Sequence, residues 1–155
     1  MRRRIPGHEQ SGLTLIELLA SVVIFGVLVG IIMTSFSALM PQYRLHGAAR
    51  QLLGDLLTAR MKAISQNRRV QVFFLNNHQY NICDDANNDG TVDNCEGQAR
   101  MQDVRADYPD VSLVSNNSPI FFPEGMASNL ATITLTNTTG SKSITISPTG
   151  RVSIN

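Results

Sequence analysis

The feature that most constrains this chain is a long apolar run at residues 13–40, which follows a short basic leader. The leader carries three arginines at residues 2–4 and ends at Gly12, and the run contains one carboxylate, Glu17, close to its start. A helix of this length would measure about 42 Å, whereas the hydrocarbon core of a bilayer is about 30 Å thick. The run is therefore predicted to form a transmembrane helix, with the basic leader on the cytoplasmic side.

The order of these features differs from that of an ordinary secretory signal, whose small-residue cleavage site follows its apolar core. Here the candidate cleavage site, Gly12–Leu13, precedes the apolar core, so the apolar segment would stay in the mature product. This order resembles the prepilin signal of type IV pilins and type II secretion pseudopilins, and residues 12–19 carry the resemblance. Leu13 departs from the family pattern, which usually has Phe at that position.

Glu17 adds a physical argument, because a carboxylate inside a membrane span costs about 2.5–3.5 kcal/mol or more. Cleavage after Gly12 would create an ammonium group on Leu13, which would pair with Glu17 of a neighbouring subunit and fix the stagger between subunits. The alternative is an uncleaved single-pass anchor with Glu17 near the lipid headgroups. The resemblance implies cleavage by prepilin peptidase and methylation of the new N-terminus.

The charge balance argues against nucleic acid as a partner, and the basic leader and the cysteines indicate the compartment. Cleavage would remove three of the 13 Lys and Arg residues and one of the 12 Asp and Glu residues, leaving 10 against 11 and a formal charge of −1. This balance argues against strong non-specific attraction to nucleic acid. The basic leader places the rest of the chain on the periplasmic side of the inner membrane. Cys83 and Cys95 suit that oxidising side and are predicted to form one disulfide.

Residues 41–66 are predicted to continue the helix as an amphipathic segment. Apolar residues such as Leu45, Leu52 and Leu56 recur at spacings of three and four, which indicates that one face packs on an apolar surface. Pro41 is expected either to kink the helix or to begin a new helical segment. The opposite face is expected to carry the charged residues Arg44, Arg50, Asp55, Arg60 and Lys62.

Residues 67–155 are predicted to form a β-rich head. The runs 70–75 and 79–83 are separated by an Asn-Asn-His turn and are expected to form a hairpin. Alternating apolar and polar residues near the C-terminus, with turns at Gly140 and Gly150, indicate antiparallel strands. The predicted fold class is α+β: a long N-terminal helix followed by an antiparallel β-sandwich-like head. The remaining predicted strands are 99–104, 111–114, 120–122, 132–136, 143–147 and 151–154.

The C-terminal half narrows the resemblance. Residues 122–125 have the sequence FPEG, an alternating strand contains Ile133 and Leu135, and residues 147–152 have the sequence SPTGRV. This order resembles the GspH/FimT (FimU) class of minor pilins and pseudopilins. Major pilins often close a C-terminal loop with a disulfide, whereas no cysteine follows Cys95 here. The resemblance implies a type IV pilin-like fold, a place at or near a filament tip, and other minor and major pilins or pseudopilins as partners.

Residues 85–96 match the calcium-loop pattern D-x-[DN]-x-[DN]-G-x5-E. Gly90 would permit the sharp turn, and a Cys83–Cys95 bridge would stabilise the loop by about 3 kcal/mol in the chain-entropy model. Calcium prefers many hard oxygen ligands, and the expected affinity is weak, with a Kd of about 10⁻⁴–10⁻³ M. An Asn/Asp-rich turn without metal is the alternative. The predicted ligands are Asp85, Asn87, Asp89, Thr91, Asp93 and Glu96.

Patterns typical of an active site are weak in this chain. None of the three histidines has a neighbouring Cys or Ser in a nucleophile motif, and two cysteines in one loop suit a disulfide better than a zinc site. The sequence therefore predicts a structural subunit and not an enzyme.

The main alternative function is a filament-borne DNA receptor, for which Arg68, Arg69 and Arg151 are the candidate contacts. Some FimT-type relatives take part in DNA uptake through a C-terminal Gly-Arg-x-Arg element. Residues 150–153 of this chain have the sequence GRVS and lack the second arginine. Solvated charges at a domain edge are therefore favoured over DNA binding.

Overall fold

The computed structural model describes residues 12–87, 89–92, 95 and 100–155, with the side chains of residues 32–38 excepted. The chain divides into two units, Met1–Ala38 and Leu39–Asn155. Helix α1 spans Leu15–Gln66 and contributes residues to both units. Pro41 lies inside this helix.

In the first unit, the large apolar side chains from Leu13 to Ile31 that the structure describes are exposed. Among the residues that the structure describes, no helix is both long enough and apolar enough to cross a membrane. The predicted transmembrane segment, 13–40, includes residues 32–38, whose side chains lie outside the described part of the chain. That segment stays a prediction.

The second unit contains α1 from Leu39 onward and two antiparallel sheets. Its elements after α1, within the described residues, are β1 Val70–Phe74, β2 Gln79–Asp84, β3 Arg100–Asp103, α2 Val104–Asp107, β4 Ser112–Ser115, β5 Ile120–Phe121, β6 Ala127–Ser128, β7 Thr132–Asn137, β8 Gly140–Ile146 and β9 Val152–Ile154. One sheet has the strand order β3-β2-β1-β5-β6, and the other has the order β4-β7-β8-β9. The predicted α+β class is confirmed.

The β1–β2 hairpin forms where it was predicted, with Val72 opposite Ile82. Its turn is held by Asn76, whose Oδ1 accepts the backbone N–H groups of His78 at 3.0 Å and Gln79 at 2.8 Å. An Asn side chain that binds the backbone two residues on is a common way to stabilise a turn. The turn signal and the two flanking apolar runs were therefore sufficient to predict this hairpin.

The other predicted strands also occur, within a few residues of the expected bounds. In the four-stranded sheet Ile133 lies opposite Ile144, and both are fully buried, whereas Thr132 and Thr136 are exposed. Strand β6 and helix α2 were not predicted. Helix α2 has a single turn and is capped by Asp103, whose Oδ1 accepts the N–H of Arg105 at 2.9 Å.

One hydrophobic core joins the helix to both sheets. The helix contributes Leu45, Leu52 and Leu56, which meet residues of the two sheets such as Val72 and Ile133. Complete burial of a leucine or isoleucine side chain stabilises a fold by about 1.5–3 kcal/mol. The three predicted apolar positions on α1 are therefore among those that hold the helix on the head.

The charged residues of α1 depart from the prediction that they occupy an outward face. Asp55 is buried and its Oδ2 accepts a hydrogen bond from the Tyr80 hydroxyl at 2.5 Å. Lys62 Nζ lies 3.3 Å from Oδ2 of Asp84, a carboxylate that is itself buried. These side chains face the head because Tyr80 and Asp84, both on strand β2, provide polar partners for them.

Arg44 and Arg60 also contact the head. Arg44 Nη1 lies 3.4 Å from Oδ1 of Asp110. Arg60 donates from Nε to the carbonyl of Gly125 at 2.9 Å and from Nη2 to the carbonyl of Thr149 at 3.4 Å. Of the five charged residues assigned to the outward face, only Arg50 is exposed without an ion pair to any residue that the structure describes.

Arg60 joins two turns that contain glycine, one in the FPEG segment and one in the SPTG segment. Both segments carry the resemblance to the family. Gly125 and Gly150 have φ angles of 80° and 72°, a conformation that favours glycine. A Cβ atom at Gly150 would collide with the carbonyl of Gly125, so the two turns stack closely. The N–H of Ala127 donates to the carbonyl of Pro148 at 3.0 Å and links the two sheets at this point. The FPEG and SPTG segments are thus structural parts of one junction.

Candidate functional site

The predicted processing site lies immediately before helix α1. Gly12 and Leu13 have no regular secondary structure, and Leu13 is exposed. A Cβ atom added at Gly12 would meet no heavy atom within 4 Å. No residue that the structure describes therefore crowds Gly12, and cleavage between Gly12 and Leu13 stays a prediction.

Thr14 caps the start of α1. Its Oγ1 accepts the backbone N–H of Glu17 at 3.3 Å, and its carbonyl accepts the N–H of Leu18 at 3.2 Å. Glu17 consequently lies in the first turn, where the positive end of the helix dipole favours a carboxylate. The capping role of Thr14 was not predicted, although Thr-x-x-Glu is the spacing of a capping box.

The assembly prediction for Leu13 and Glu17 concerns two subunits. The structure contains one chain, so the pairing between the Leu13 ammonium and a neighbour's Glu17 stays a prediction. What the structure adds is the position of the carboxylate. Glu17 is exposed and lies among apolar side chains that are exposed as well, including Leu15 and Leu18.

Cys83 and Cys95 are joined by a disulfide, as predicted. Cys83 is buried on strand β2, and Cys95 has a φ angle of 54°. The two cysteines are 12 residues apart, so the bridge encloses most of residues 85–96, which are called the acidic loop. This cross-link restricts the conformations of that loop in the unfolded chain as well as in the folded one.

Asp85 organises the described part of the acidic loop from inside. Its side chain is buried, Oδ1 accepts the N–H of Asp89 at 3.2 Å, and Oδ2 accepts the N–H of Gly90 at 3.0 Å. Gly90 has a φ angle of 90°, which confirms the sharp turn predicted at this glycine. An ionised carboxylate offers about four lone-pair positions, so these two bonds leave part of its acceptor capacity unused.

Asp89 is surrounded by donors from its own loop. The Thr91 hydroxyl and backbone N–H donate to its Oδ1 at 2.7 and 2.8 Å, and Asn87 Nδ2 donates to its Oδ2 at 3.0 Å. These bonds, with that of the Thr91 hydroxyl as the largest cause, hold the pKa of Asp89 below its ordinary value. Asp89 is therefore ionised at neutral pH and in contact with two other predicted ligands, Asn87 and Thr91.

The described residues fit part of the predicted calcium loop. Asp85, Asn87, Asp89 and Thr91 lie together in one hydrogen-bonded turn, whereas Asp93 and Glu96 lie outside the described residues. In the part of the chain that is described, no group of three or more His, Cys, Asp or Glu side chains is placed to hold a metal ion. Calcium binding therefore stays a prediction that depends on the two remaining acidic residues.

The arginines considered for DNA binding have different surroundings. Arg69 lies over the ring of Phe122, with 5.2 Å between the guanidinium carbon and the ring centroid, and its Nη1 donates to the carbonyl of Gly90. Such a cation–π contact and hydrogen bond fasten the acidic loop to the β5 end of the sheet. Arg68 precedes β1 in one sheet, and the exposed Arg151 precedes β9 in the other.

Two family sequence models match the chain. The model of the type II transport protein GspH matches residues 48–150, and that of the prokaryotic N-terminal methylation motif matches residues 8–33. The chain is also similar to the pilin-like protein PilA1 of Thermus thermophilus. The two are 34% identical over 151 residues, which cover 90% of this chain and 95% of the relative.

Solved structures share the fold. The type IV minor pilin FimU of Pseudomonas aeruginosa superposes with a TM-score of 0.57 at 20% identity, covering 74% of this chain and 90% of FimU. The minor pseudopilin EpsH of the type II secretion system of Vibrio cholerae also gives a TM-score of 0.57, at 10% identity, covering 72% of this chain and 96% of EpsH.

Proposed function

Because the chain belongs to the family of the type II transport protein GspH, we propose that it is a minor pilin or pseudopilin. It is a structural subunit and not an enzyme, and it promotes assembly at or near the tip of a type IV pilus or a type II secretion pseudopilus. The observation that carries this proposal is the order of two segments on one chain. A methylation motif at residues 8–33 precedes a GspH-type head at residues 48–150.

The first steps of the proposed function are processing and membrane insertion. Prepilin peptidase cleaves between Gly12 and Leu13, and the new N-terminus is methylated. The exposed apolar side chains from Leu13 to Ile31 support insertion into the inner membrane, because apolar surface of this extent requires an apolar partner. The head then lies in the periplasm, where the Cys83–Cys95 disulfide is stable.

The next step is incorporation among other minor and major pilins or pseudopilins. Glu17 supports this step, since a carboxylate in an apolar surrounding is costly until it meets a cation. The ammonium group of a neighbour's Leu13 is the proposed cation. Relatives named as a minor pilin and as a minor pseudopilin share the fold, so the proposal covers both assemblies.

We propose in addition that the acidic loop binds calcium weakly and thereby rigidifies the head. The sequence pattern of residues 85–96 supports this, as do the buried Asp85 carboxylate and the sharp turn at Gly90. For a DNA receptor, by contrast, Arg69 is a poor contact because its guanidinium group is engaged by Phe122 and Gly90.

The decisive experiment follows the chain from precursor to filament. Mass spectrometry of the mature protein should find Leu13 as a methylated first residue, and the protein should co-purify with sheared filaments or tip complexes. Gly12→Val should leave an uncleaved precursor. Gly26→Val is the matched control, because neither glycine has a heavy atom within 4 Å of an added Cβ atom, and only Gly12 lies at the cleavage site. A mature wild-type chain that still carries residues 2–4 would refute the proposal.

A further inference from the structure

We propose that the free edge of strand β9 binds an extended segment of a neighbouring pilin-like subunit, which adds a strand to the four-stranded sheet. This inference rests on the proposed function and names the surface of the head that meets the neighbour. Strand β9 is the last strand of the order β4-β7-β8-β9, so no strand among the described residues pairs with its other side. The surface is called the β9 edge and consists of residues 151–155.

The first argument concerns the direction of the backbone groups of β9. Ser143 and Asn155 exchange two backbone hydrogen bonds, at 2.8 and 3.2 Å. In an antiparallel ladder such pairs alternate with pairs that exchange none, and Val152 and Ile154 belong to pairs of the second kind. Their N–H and C=O groups therefore point away from β8 and offer both donors and acceptors to a further strand. This pattern fits another extended main chain, because a DNA backbone supplies acceptors without donors.

The second argument is that the other three sheet edges differ from the β9 edge. The N–H of Leu113 on β4 donates to the carbonyl of Asn77 at 2.8 Å, so the β1–β2 turn covers that edge. The N–H of Ala127 on β6 donates to the carbonyl of Pro148 at 3.0 Å, so the turn before β9 covers that one. Strand β3 begins and ends with charged residues, which oppose the addition of a strand. Strand β9 has the sequence VSI and lacks this protection.

The third argument is the incomplete burial of the side chains of Val152 and Ile154. Both pack against the hydrophobic core of the head but are only partly buried. Successive side chains of a strand lie on opposite faces of the sheet, so Ser153 lies on the other face, where its Oγ is 3.0 Å from Oγ1 of Thr145. An added strand would cover Val152 and Ile154 with apolar side chains and place polar ones beside Ser153. The expected segment therefore alternates apolar and polar residues.

Charge defines the occupant further. Arg151 is exposed, lies directly before β9, and is the only charged residue in the sequence GRVSIN of residues 150–155. An acidic residue of the added strand would complement it. Pairing between the β9 edges of two copies of this chain would leave both arginines without a carboxylate, because residues 150–155 contain no acidic residue. The predicted occupant is thus an extended segment of a different pilin-like subunit, with an acidic residue beside Arg151.

The test uses the full-length chain in cells that assemble the filament. A photo-crosslinking amino acid replaces Ser153 in one protein and Thr132 in the matched control. Both residues belong to one row across the sheet, in which Thr132 lies opposite Thr145 and Thr145 lies opposite Ser153. The added strand would be adjacent to Ser153 but three strand spacings, or about 14 Å, from Thr132. Mass spectrometry of adducts from sheared filaments or tip complexes identifies the contacted segment.

Ser153 should yield adducts with an extended segment in the head of another pilin-like subunit. Thr132 should yield about tenfold fewer of these adducts, because the added strand lies beyond its reach. The yield is expressed relative to the amount of processed protein in the membrane, so that differences in expression do not affect the comparison.

A backbone variant tests the hydrogen bonds of the β9 edge. Ile154→Pro removes the N–H that points away from β8, an orientation in which edge strands tolerate proline. Ile154→Val is the matched control, because it keeps this N–H and a β-branched side chain. The proline variant should lower the yield of Ser153 adducts about tenfold, and the valine variant should leave it unchanged. Arg151→Glu keeps every backbone group and should lower the yield about threefold, since it repels the acidic residue.

The possible results separate the inference from the proposed function. Equal yields from Ser153 and Thr132, or Ser153 adducts with lipid, DNA, a pilin helix or a second copy of this chain, would overturn the inference alone. An unchanged yield in Ile154→Pro, or in Arg151→Glu where the proline variant does not accumulate, would do the same. A wild-type chain absent from filaments and tip complexes would instead refute the proposed function, and the inference with it.

Discussion

Tyr80 donates a 2.5 Å hydrogen bond from its hydroxyl group to Oδ2 of Asp55, and both residues are buried. Asp55 belongs to helix α1 and Tyr80 to strand β2, so this bond is one of the contacts that join the helix to the head. Burial of an ionisable group is tolerated only when strong partners replace water. The pair is therefore a sensitive probe of how the helix is held.

Tyr80→Phe should lower the free energy of unfolding of the fragment from Leu39 onward by about 1–3 kcal/mol, because the buried Asp55 carboxylate loses its donor. Asp55→Asn is the control, since a carboxamide oxygen can still accept the hydrogen bond from Tyr80 and the loss should be smaller. Urea denaturation of the three proteins measures both effects. Equal losses in the two variants would contradict the role assigned to the hydroxyl group.

The same pair predicts a dependence on alkaline pH. Burial of Tyr80 raises the pKa of its hydroxyl group well above the ordinary value, and the hydrogen bond to Asp55 raises it further. The folded state therefore keeps a proton that the unfolded state loses above a pH of about 10. Stability should be complete below that pH and fall by up to about 1.4 kcal/mol per pH unit above it. Denaturation midpoints from pH 8 to about 11 should show a steeper decline for the wild type than for Tyr80→Phe.

Glu17→Ala should still insert and be cleaved, but it should enter filaments or tip complexes poorly. The reason is that the ammonium group of a neighbour's Leu13 then has no partner inside an apolar surrounding. Ser21→Ala is a suitable control one turn further along, because its hydroxyl group donates to the carbonyl of Glu17 at 2.8 Å and not to the carboxylate. Quantitative blotting of sheared filaments measures incorporation. Normal incorporation of Glu17→Ala would show that this carboxylate does not set the register.

Calcium should stabilise the oxidised fragment from Leu39 onward. With a Kd near 10⁻⁴ M, about 1 mM calcium adds about 1.4 kcal/mol and raises the melting temperature by several degrees. Asp89→Ala and Glu96→Gln should abolish the shift, and magnesium should reproduce it poorly because it requires tighter octahedral geometry. Asp107→Ala, an exposed acidic residue on α2, is the control. If calorimetry detects neither heat nor a thermal shift at several millimolar calcium, residues 85–96 form a turn without metal.

Duplex DNA should bind the same fragment no more tightly than the non-specific range, with a Kd of about 10⁻⁴–10⁻⁶ M. Arg151→Ala should have little effect on DNA affinity, because one exposed arginine contributes little by itself. Arg69 cannot assist it, since its guanidinium group is bound within the head. Fluorescence anisotropy at several salt concentrations measures this. A clearly tighter complex that depends on Arg151 would favour the DNA receptor.

Local patterns were sufficient to predict most of the fold. In β7 the alternation of threonine with Ile133 and Leu135 indicated both the strand and its buried face. Asn76 and its neighbours indicated the hairpin turn. Strand β6 escaped prediction because two residues, Ala127 and Ser128, are too few to show alternation. Its existence depends on pairing with β5, which no local pattern encodes.

Some side-chain partners in the candidate sites could not be predicted from the sequence, because they depend on contacts between residues far apart in the chain. Helical periodicity predicts where Asp55 lies around the helix axis relative to the apolar face. It does not predict the partner, because Tyr80 lies 25 residues further along the chain. Arg69 was considered a solvated basic residue because its contact with Phe122 depends on how the first sheet pairs. Cys83 and Cys95, by contrast, could be paired from sequence because the chain has two cysteines and both suit an oxidising compartment.

The contacts that fasten helix α1 to the end of the head also determine when the head can fold. Asn137 Nδ2 donates to the carbonyl of Pro41 at 2.7 Å across 96 residues, and Arg60 reaches the carbonyl of Thr149 across 89 residues. Closing loops of this length lowers the conformational entropy of the chain before the contacts can stabilise it. Contacts between residues so far apart in the sequence therefore slow folding. During synthesis the helix emerges first but must wait for β7 and the Gly150 turn. A growing chain therefore keeps the core-facing leucines of α1 uncovered until almost all of the head has been synthesised.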